Sequence, residues 1–244
     1  MIDPLIRMID KAPAIRGYKP WAKYYADLPL AMDPDLTIKI MAYADDMVVL
    51  LRSPEEWEVL QEIYSTYAKA SNARLNVHKT EFISLSGYPW PQWQLLQRSI
   101  GAAWHDKHSL TATRYLGYPV YSTTSQLRTY WDGFTAKLEL HCRMLRSRQL
   151  TIRGTSLLCN SIVFAKVWHV LRVTPIPKTW LQRLDQIARS FVLPFNPAPA
   201  WETAKLPKVM GGLGIIDVNH QRAALQLRAT VYAERSPTGA MTSW

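Results

Sequence analysis

Cysteine is scarce in this sequence: Cys142 and Cys159 are the only two in 244 residues. Their spacing matches no metal site and argues for no disulfide, so both read as buried thiols of an intracellular protein. Long apolar runs are missing as well. The most apolar stretch, Thr155 to Val170, is interrupted by Asn160, Ser161 and Lys166, whereas a membrane helix needs roughly 20 predominantly apolar residues. The opening has no basic segment leading into an apolar one, so no secretory leader is expected. Internal repeats and low-complexity tracts are also lacking. Acidic residues are few, 19 against 29 Lys and Arg, giving a formal charge of +10.

What is present suits a packed core. With 48% hydrophobic and 20% charged residues, the chain reads as globular rather than disordered. Its length allows one large domain or two smaller ones. The charge is unevenly spread. Residues 1–122 carry 13 basic and 13 acidic residues, residues 123–195 carry 11 against 3, and residues 196–244 carry 5 against 3. The excess therefore lies in one middle segment. A groove following a phosphate backbone would need that, and a solvated basic surface would show it too.

Local patterns divide the chain into an α+β block to about residue 122, a helical block to about 195 and a small tail. Asp3 and Pro4 open a first helix, and a loop with short strand pieces is expected from Pro13 to Pro34. Leu36, Ile38, Ile40 and Ala42 alternate with Thr37, Lys39 and Met41 as a strand does, and Met47 to Leu51 is a second apolar strand. The two should pair as a hairpin with Ala44, Asp45 and Asp46 near the turn. Ser53, Pro54 and Glu56 predict a capping box opening a helix along Trp57, Leu60, Ile63 and Tyr67. Further strands are expected at Glu81 to Leu85 and Arg114 to Tyr121. Helices follow near 125–149, 152–172 and 177–192. The tail should hold a short strand from Lys205 to Val209, a glycine-rich turn and a final helix from Asn219 to Glu234.

Chemistry concentrates at Tyr43-Ala44-Asp45-Asp46. Adjacent carboxylates between apolar strands disfavour one another's charge. A divalent cation with oxygen ligands would compensate them, and aspartate-held ions can drive an in-line phosphoryl displacement. An acidic turn in water is the competing reading, since aspartate is common in turns, although a tight hairpin usually places Gly or Asn beside it.

Ala42-Tyr43-Ala44-Asp45-Asp46 with its apolar flanks resembles the metal-binding hairpin of the reverse transcriptase palm. Leu75-Asn76-Val77-His78-Lys79-Thr80 resembles the segment bearing the active-site lysine in LINE-type (non-LTR retrotransposon) enzymes. Tyr115-Leu116-Gly117-Tyr118-Pro119-Val120 resembles the strand entering their primer grip. Pro207 to Ile215 resembles their glycine-rich turn after the thumb, and Ile2 to Arg7 the helix after their template-contacting motif. The similarity covers nearly the whole chain. A related palm hairpin also occurs in RNA polymerases and intron maturases, but the Gly211-Gly212-Leu213-Gly214-Ile215 turn favours the LINE type.

The resemblance implies an RNA-directed DNA polymerase fold: a partial palm over 1–122 (an antiparallel sheet with helices), an all-helical thumb over 123–195 and a small α/β appendage over 196–244. It implies Mg²⁺ or Mn²⁺ on Asp45 and Asp46, and Lys79 at the departing pyrophosphate, where a mobile ammonium suits diffuse charge. Tyr43, Leu116 and Gly117 would lie along the nucleotide and primer. Partners would be an RNA template, a DNA primer and dNTPs, with no membrane, and the compartment the nucleus. In the basic block, Lys137, Arg143, Arg146, Arg148, Arg153 and Lys166 are candidates to clasp an RNA–DNA duplex, which is held mainly through its backbone. Trp131, Phe134, Leu138, Leu145, Trp168 and Leu171 read as packing core. His105, His108 and His141 read as structural.

One departure qualifies the resemblance. The palm needs a third carboxylate from an earlier strand, and Asp3, Asp10, Asp27, Asp33 and Asp35 lack that context. The expectation is a chain without the fingers, the first aspartate and the template motif, inactive alone. The alternative is a non-catalytic basic module that retains duplex affinity.

Overall fold

The computed structural model describes residues 3–19 and 37–235. Leu36, Asp27, Asp33, Asp35 and most of the loop expected up to Pro34 lie outside the described residues. Among those described, α-helices combine with three separate two-stranded sheets, an α+β composition. Two compact units form, Met1–His108 and Ser109–Trp244.

The first unit opens with α1 (Asp3–Lys11), where Asp3 sits in the first turn. An antiparallel hairpin follows, β1 (Ile40–Tyr43) and β2 (Asp46–Val49), then α2 (Pro54–Ser71). Leu5, Ile9, Ile15 and Tyr67 are buried together, with Ile40, Met47, Val49, Leu60 and Ile63 packed on them. Three polar ties fix the hairpin's neighbourhood. Lys39 Nζ donates to the carbonyls of Asp10 and Ala12, both at 2.7 Å, placing a cation at the negative end of α1. Arg52 Nε donates to the Gly17 carbonyl at 2.6 Å, and Arg16 pairs with buried Glu56 at 2.6 Å.

That last pair corrects the capping box. Ser53 does precede α2 with Pro54 next, but its side chain makes no cap hydrogen bond. The Glu56 carboxylate instead accepts from the Arg52 backbone N–H at 3.1 Å and from Arg16. A guanidinium partner, worth more than a neutral donor, has drawn it away.

Beyond α2, β3 (Glu81–Ile83) pairs in parallel with β4 (Ala103–His105), linked by α3 (Pro91–Ile100). Trp57, Phe82 and Trp93 pack as tilted rings with centroids 5.1 and 6.1 Å apart. The sequence reading found β3 but neither α3 nor β4.

The second unit begins with another antiparallel hairpin, β5 (Thr113–Tyr115) and β6 (Tyr118–Val120). The single strand expected from Arg114 to Tyr121 is thus two, reversed at Leu116 and Gly117. Then comes α4 (Thr124–Arg146), opened by a capping box of Thr123 and Gln126. The one helix expected over 152–172 is α5 (Ile152–Leu158), a π turn over Cys159–Val163 and α6 (Phe164–Leu171). Here Asn160 donates to the Gly214 carbonyl at 2.8 Å and accepts from the Ile216 N–H at 3.1 Å.

The π turn thereby anchors the tail. After α7 (Lys178–Val192), the chain forms α8 (Trp201–Lys205), a 3₁₀ turn over Lys208–Met210 and α9 (Val218–Arg235). The strand expected from Lys205 to Val209 is absent, because Pro207 and the turn at Gly211 leave no extended run to pair. Trp201, Ala204, Ile215 and Val218 join Trp131, Leu138, Phe164, Leu171 and Phe191 in one buried cluster, so the tail shares the helical core. A β-carbon at Gly212 would stand 2.0 Å from the Leu206 carbonyl oxygen, which only glycine avoids.

Lys205 ties this tail electrostatically to Asp217 at 2.7 Å and Asp185 at 3.4 Å. Burial alone would raise the Asp217 pKa, but the Lys205 hydrogen bond and the His220 N–H outweigh it and hold the carboxyl below its ordinary 3.8. A depressed folded-state pKa stabilises above the unfolded value and is lost as pH falls through the folded one. We therefore expect the near-UV circular dichroism around Trp201 to be constant near neutrality and to weaken below about pH 4. Asp217→Asn should remove that acid-dependent change.

Candidate functional site

Strand alternation sets the geometry of the first hairpin. Tyr43 lies directly opposite Asp46, leaving Ala44 and Asp45 as a two-residue turn. Since Ile40, Met47 and Val49 pack on the core, Tyr43 and Asp46 share the outward face, and Tyr43 is 59% exposed. Asp45 and Asp46 are both exposed at the tip. Ala44 holds φ at +54°, a left-handed conformation costing an L-residue roughly 1–2 kcal/mol. An alanine therefore occupies the position where Gly or Asn was expected.

Two adjacent carboxylates on an outward tip, on a hairpin tied down by Lys39 and the α1–α2 core, suit a divalent cation's oxygen preference. They make up only part of a shell. No group of three His, Cys, Asp or Glu side chains converges among the described residues. Lys79 belongs to the same unit. It is exposed at the end of the 3₁₀ turn Val77–Lys79, with its N–H bonded to the Asn76 carbonyl at 3.0 Å.

Leu116 and Gly117 form the tip of the second hairpin, at φ +51° and +84°. Two consecutive left-handed residues define the turn type that matches strand twist. The turn is fastened to helices. His169 on α6 sits 2.9 Å from the Leu116 carbonyl, and a carbonyl only accepts, so Nε2 carries the proton. Tyr118 stacks on His169 with centroids 4.3 Å apart. Tyr130 on α4 donates to the Gly117 carbonyl at 3.4 Å, while Arg114 lies over the Tyr130 ring at 5.3 Å. Sequence reasoning missed His169, Tyr130, Tyr118 and Arg114 as supports of this tip. No local signal marks Tyr130 and His169, because they reach the tip from helices 13 and 53 residues away.

The six basic candidates are all exposed, and they separate by face. Arg143 and Arg146, one turn apart, line a cavity of about 440 Å³ between α4 and α7, with Cys142 and Arg183 also in its wall. Arg146 donates to the Ser190 carbonyl there. Lys166 on α6 meets His141 on α4 at 2.9 Å. Lys137 precedes His141 by one turn of α4, Arg148 follows that helix, and Arg153 lies on α5. Both cysteines are buried and free. Burial is the main cause that pushes Cys142 up to about 11 and Cys159 to about 12, so neither offers a thiolate near neutrality.

Over just under half its length the chain matches the reverse transcriptase family. Residues 1–120, which end with β6, match the family described as reverse transcriptase (RNA-dependent DNA polymerase). It is similar to the Transposon TX1 uncharacterized 149 kDa protein of Xenopus laevis, 23% identical over 222 residues, covering 84% of this chain and 16% of the relative. The chain thus spans 16% of that relative's length. Both likenesses agree with the LINE-type resemblance carried by the motifs.

Proposed function

We propose that the chain supplies the metal-binding hairpin and the duplex clasp of a non-LTR retrotransposon RNA-directed DNA polymerase. The first unit would serve as part of the palm and the helical unit as the thumb. The observation carrying this reading is the outward pair Asp45 and Asp46 on a braced hairpin, within residues matched to the reverse transcriptase family. Family polymerases use divalent metals. Mg²⁺ or Mn²⁺, when bound, neutralises charge developing on the attacking and leaving oxygens.

In this scheme Asp45 is a direct ligand and Asp46 a second or supporting one. Tyr43, beside Asp46 on the same face, packs against the primer terminus or incoming dNTP. Lys79 neutralises the departing pyrophosphate, and the Leu116–Gly117 tip approaches the primer backbone. The cations Lys137, Arg143, Arg146, Arg148, Arg153 and Lys166 hold the RNA–DNA duplex. The palm reading requires a further aspartate beside Asp45 and Asp46, and we expect the chain alone not to polymerise. Primer extension on an RNA template with Mg²⁺ or Mn²⁺ tests this directly.

The exposed cations of the helical unit also favour a second reading, a basic nucleic-acid-binding module without catalysis. In both readings duplex affinity should fall steeply with salt. Arg153→Gln should lower the slope of log K against log salt by about 0.7–0.9 if it neutralises one phosphate. An unchanged slope would remove Arg153 from the clasp. Only the polymerase reading requires extension activity that depends on Asp45.

A further inference from the structure

The Lys166–His141 contact joins two groups that are both cations at low pH. An ammonium has donors only, so at 2.9 Å Lys166 Nζ must donate to a lone pair on His141 Nδ1. The free protein therefore holds His141 neutral, with its proton on Nε2. Burial first, then the charges of Lys166 and Arg148, keep its pKa below the ordinary 6.5. Lys137, four residues earlier, shares this side of α4.

Among the described residues, the charges acting on His141 are those of Lys166 and Arg148, with no carboxylate between them. The acids nearest in sequence face elsewhere. Glu139 and Asp132 pair with Arg183 of α7 at 3.2 and 3.7 Å, and Glu139 lines the cavity with Arg143 on the other side of α4. From α6, the charged group that meets His141 is Lys166. Three exposed cations around a half-buried histidine lack a counter-charge, and a phosphodiester would provide one.

We propose that His141, Lys166 and Arg148 form a proton-linked phosphate site that takes one backbone phosphate of a nucleic-acid duplex. This rests on the reading of the helical unit as a duplex clasp. As the phosphate enters, His141 takes a proton from solvent at Nδ1. Lys166 then no longer donates to the ring, and both groups donate to phosphate oxygens. His141 is thus a pH-dependent contact rather than a structural histidine.

The test is fluorescence anisotropy of a 5′-fluorescein RNA–DNA duplex with the full chain, at constant ionic strength from about pH 6 to about pH 8. Phosphate-free buffers avoid competition. The wild-type chain should bind about three- to fivefold more tightly at the acid end through this site. His141→Gln should lose that increment and match wild type within about twofold at the alkaline end. Lys166→Gln should weaken duplex binding across the whole pH range, because one phosphate donor is gone whatever the charge on His141. Thermal melts confirm that both variants fold. If His141→Gln keeps the wild-type pH profile, the proton linkage is wrong while the duplex clasp stands. If the wild-type chain binds no duplex at any pH, both fall.

Discussion

Asp45→Asn is expected to reduce RNA-templated nucleotide addition by at least roughly 10²–10³-fold, the scale seen when one charge-stabilising group is removed from a transition state. The comparison is made in this chain fused to a fingers–palm segment that supplies the remaining aspartate. Asn keeps the shape and the turn, so duplex binding should stay within about twofold, the clasp being electrostatic and carried by other residues. Asp46→Asn should have a smaller effect, in keeping with a supporting role. Ala44→Gly separates strain from chemistry. Glycine adopts φ near +54° without the β-carbon penalty, so the hairpin should gain stability by about 0.5–1 kcal/mol. An activity loss in Ala44→Gly, with both carboxylates intact, would show that the strained turn itself positions them. Single-turnover primer extension measures each variant.

Trp131→Ala should be the most damaging substitution for the fold, costing about 3–5 kcal/mol. Trp131 has 0% exposure and touches Tyr130 and Phe134 at centroid distances of 5.5 Å. Its indole donates to the Pro175 carbonyl at 3.1 Å, tying α4 to the connection between α6 and α7. Removing it leaves both a cavity and an unpaired carbonyl. Against a typical total of about 5–15 kcal/mol, that loss would leave the helical unit marginal. Urea unfolding followed by far-UV circular dichroism should show an early loss of helix. Trp131→Phe, which keeps most of the volume and loses the hydrogen bond, should cost about 1–2 kcal/mol. Near-equal stability of Trp131→Ala and wild type would mean that the buried cluster is not organised around α4.

Much of this architecture was legible because periodicity and punctuation are local. The alternation through Ile40 and Ala42 identified β1, the apolar run at Met47 identified β2, and the Ser53–Pro54 pair identified the start of α2. The core role of Trp131, Leu138, Leu145 and Leu171 followed from helical spacing. What escaped depended on distant partners. Nothing near Glu56 announces that Arg16 will claim its carboxylate. Leucine at φ +51° is rare enough that Leu116–Gly117 looks like strand until Tyr130 and His169 are seen holding the turn. The strand expected at Lys205 failed because Lys205 closes a helix whose Trp201 and Ala204 enter the core, and Pro207 and the turn at Gly211 leave no extended run after it. At the site itself, residue types and order were readable. The outward face shared by Tyr43 and Asp46, and the pairing of His141 with Lys166, were not, since these come from pairing register and from contacts between helices.

Primer extension on an RNA template, with Mg²⁺ or Mn²⁺, tests the central claim most directly. It is run on the chain alone and on the fusion that supplies the further aspartate. Expected are no extension by the chain alone, extension by the fusion, and its loss on Asp45→Asn. Robust extension by the chain alone would contradict the incomplete carboxylate set. A fusion that folds and binds duplex yet adds no nucleotide would contradict the assignment of Asp45 and Asp46 as metal-binding residues.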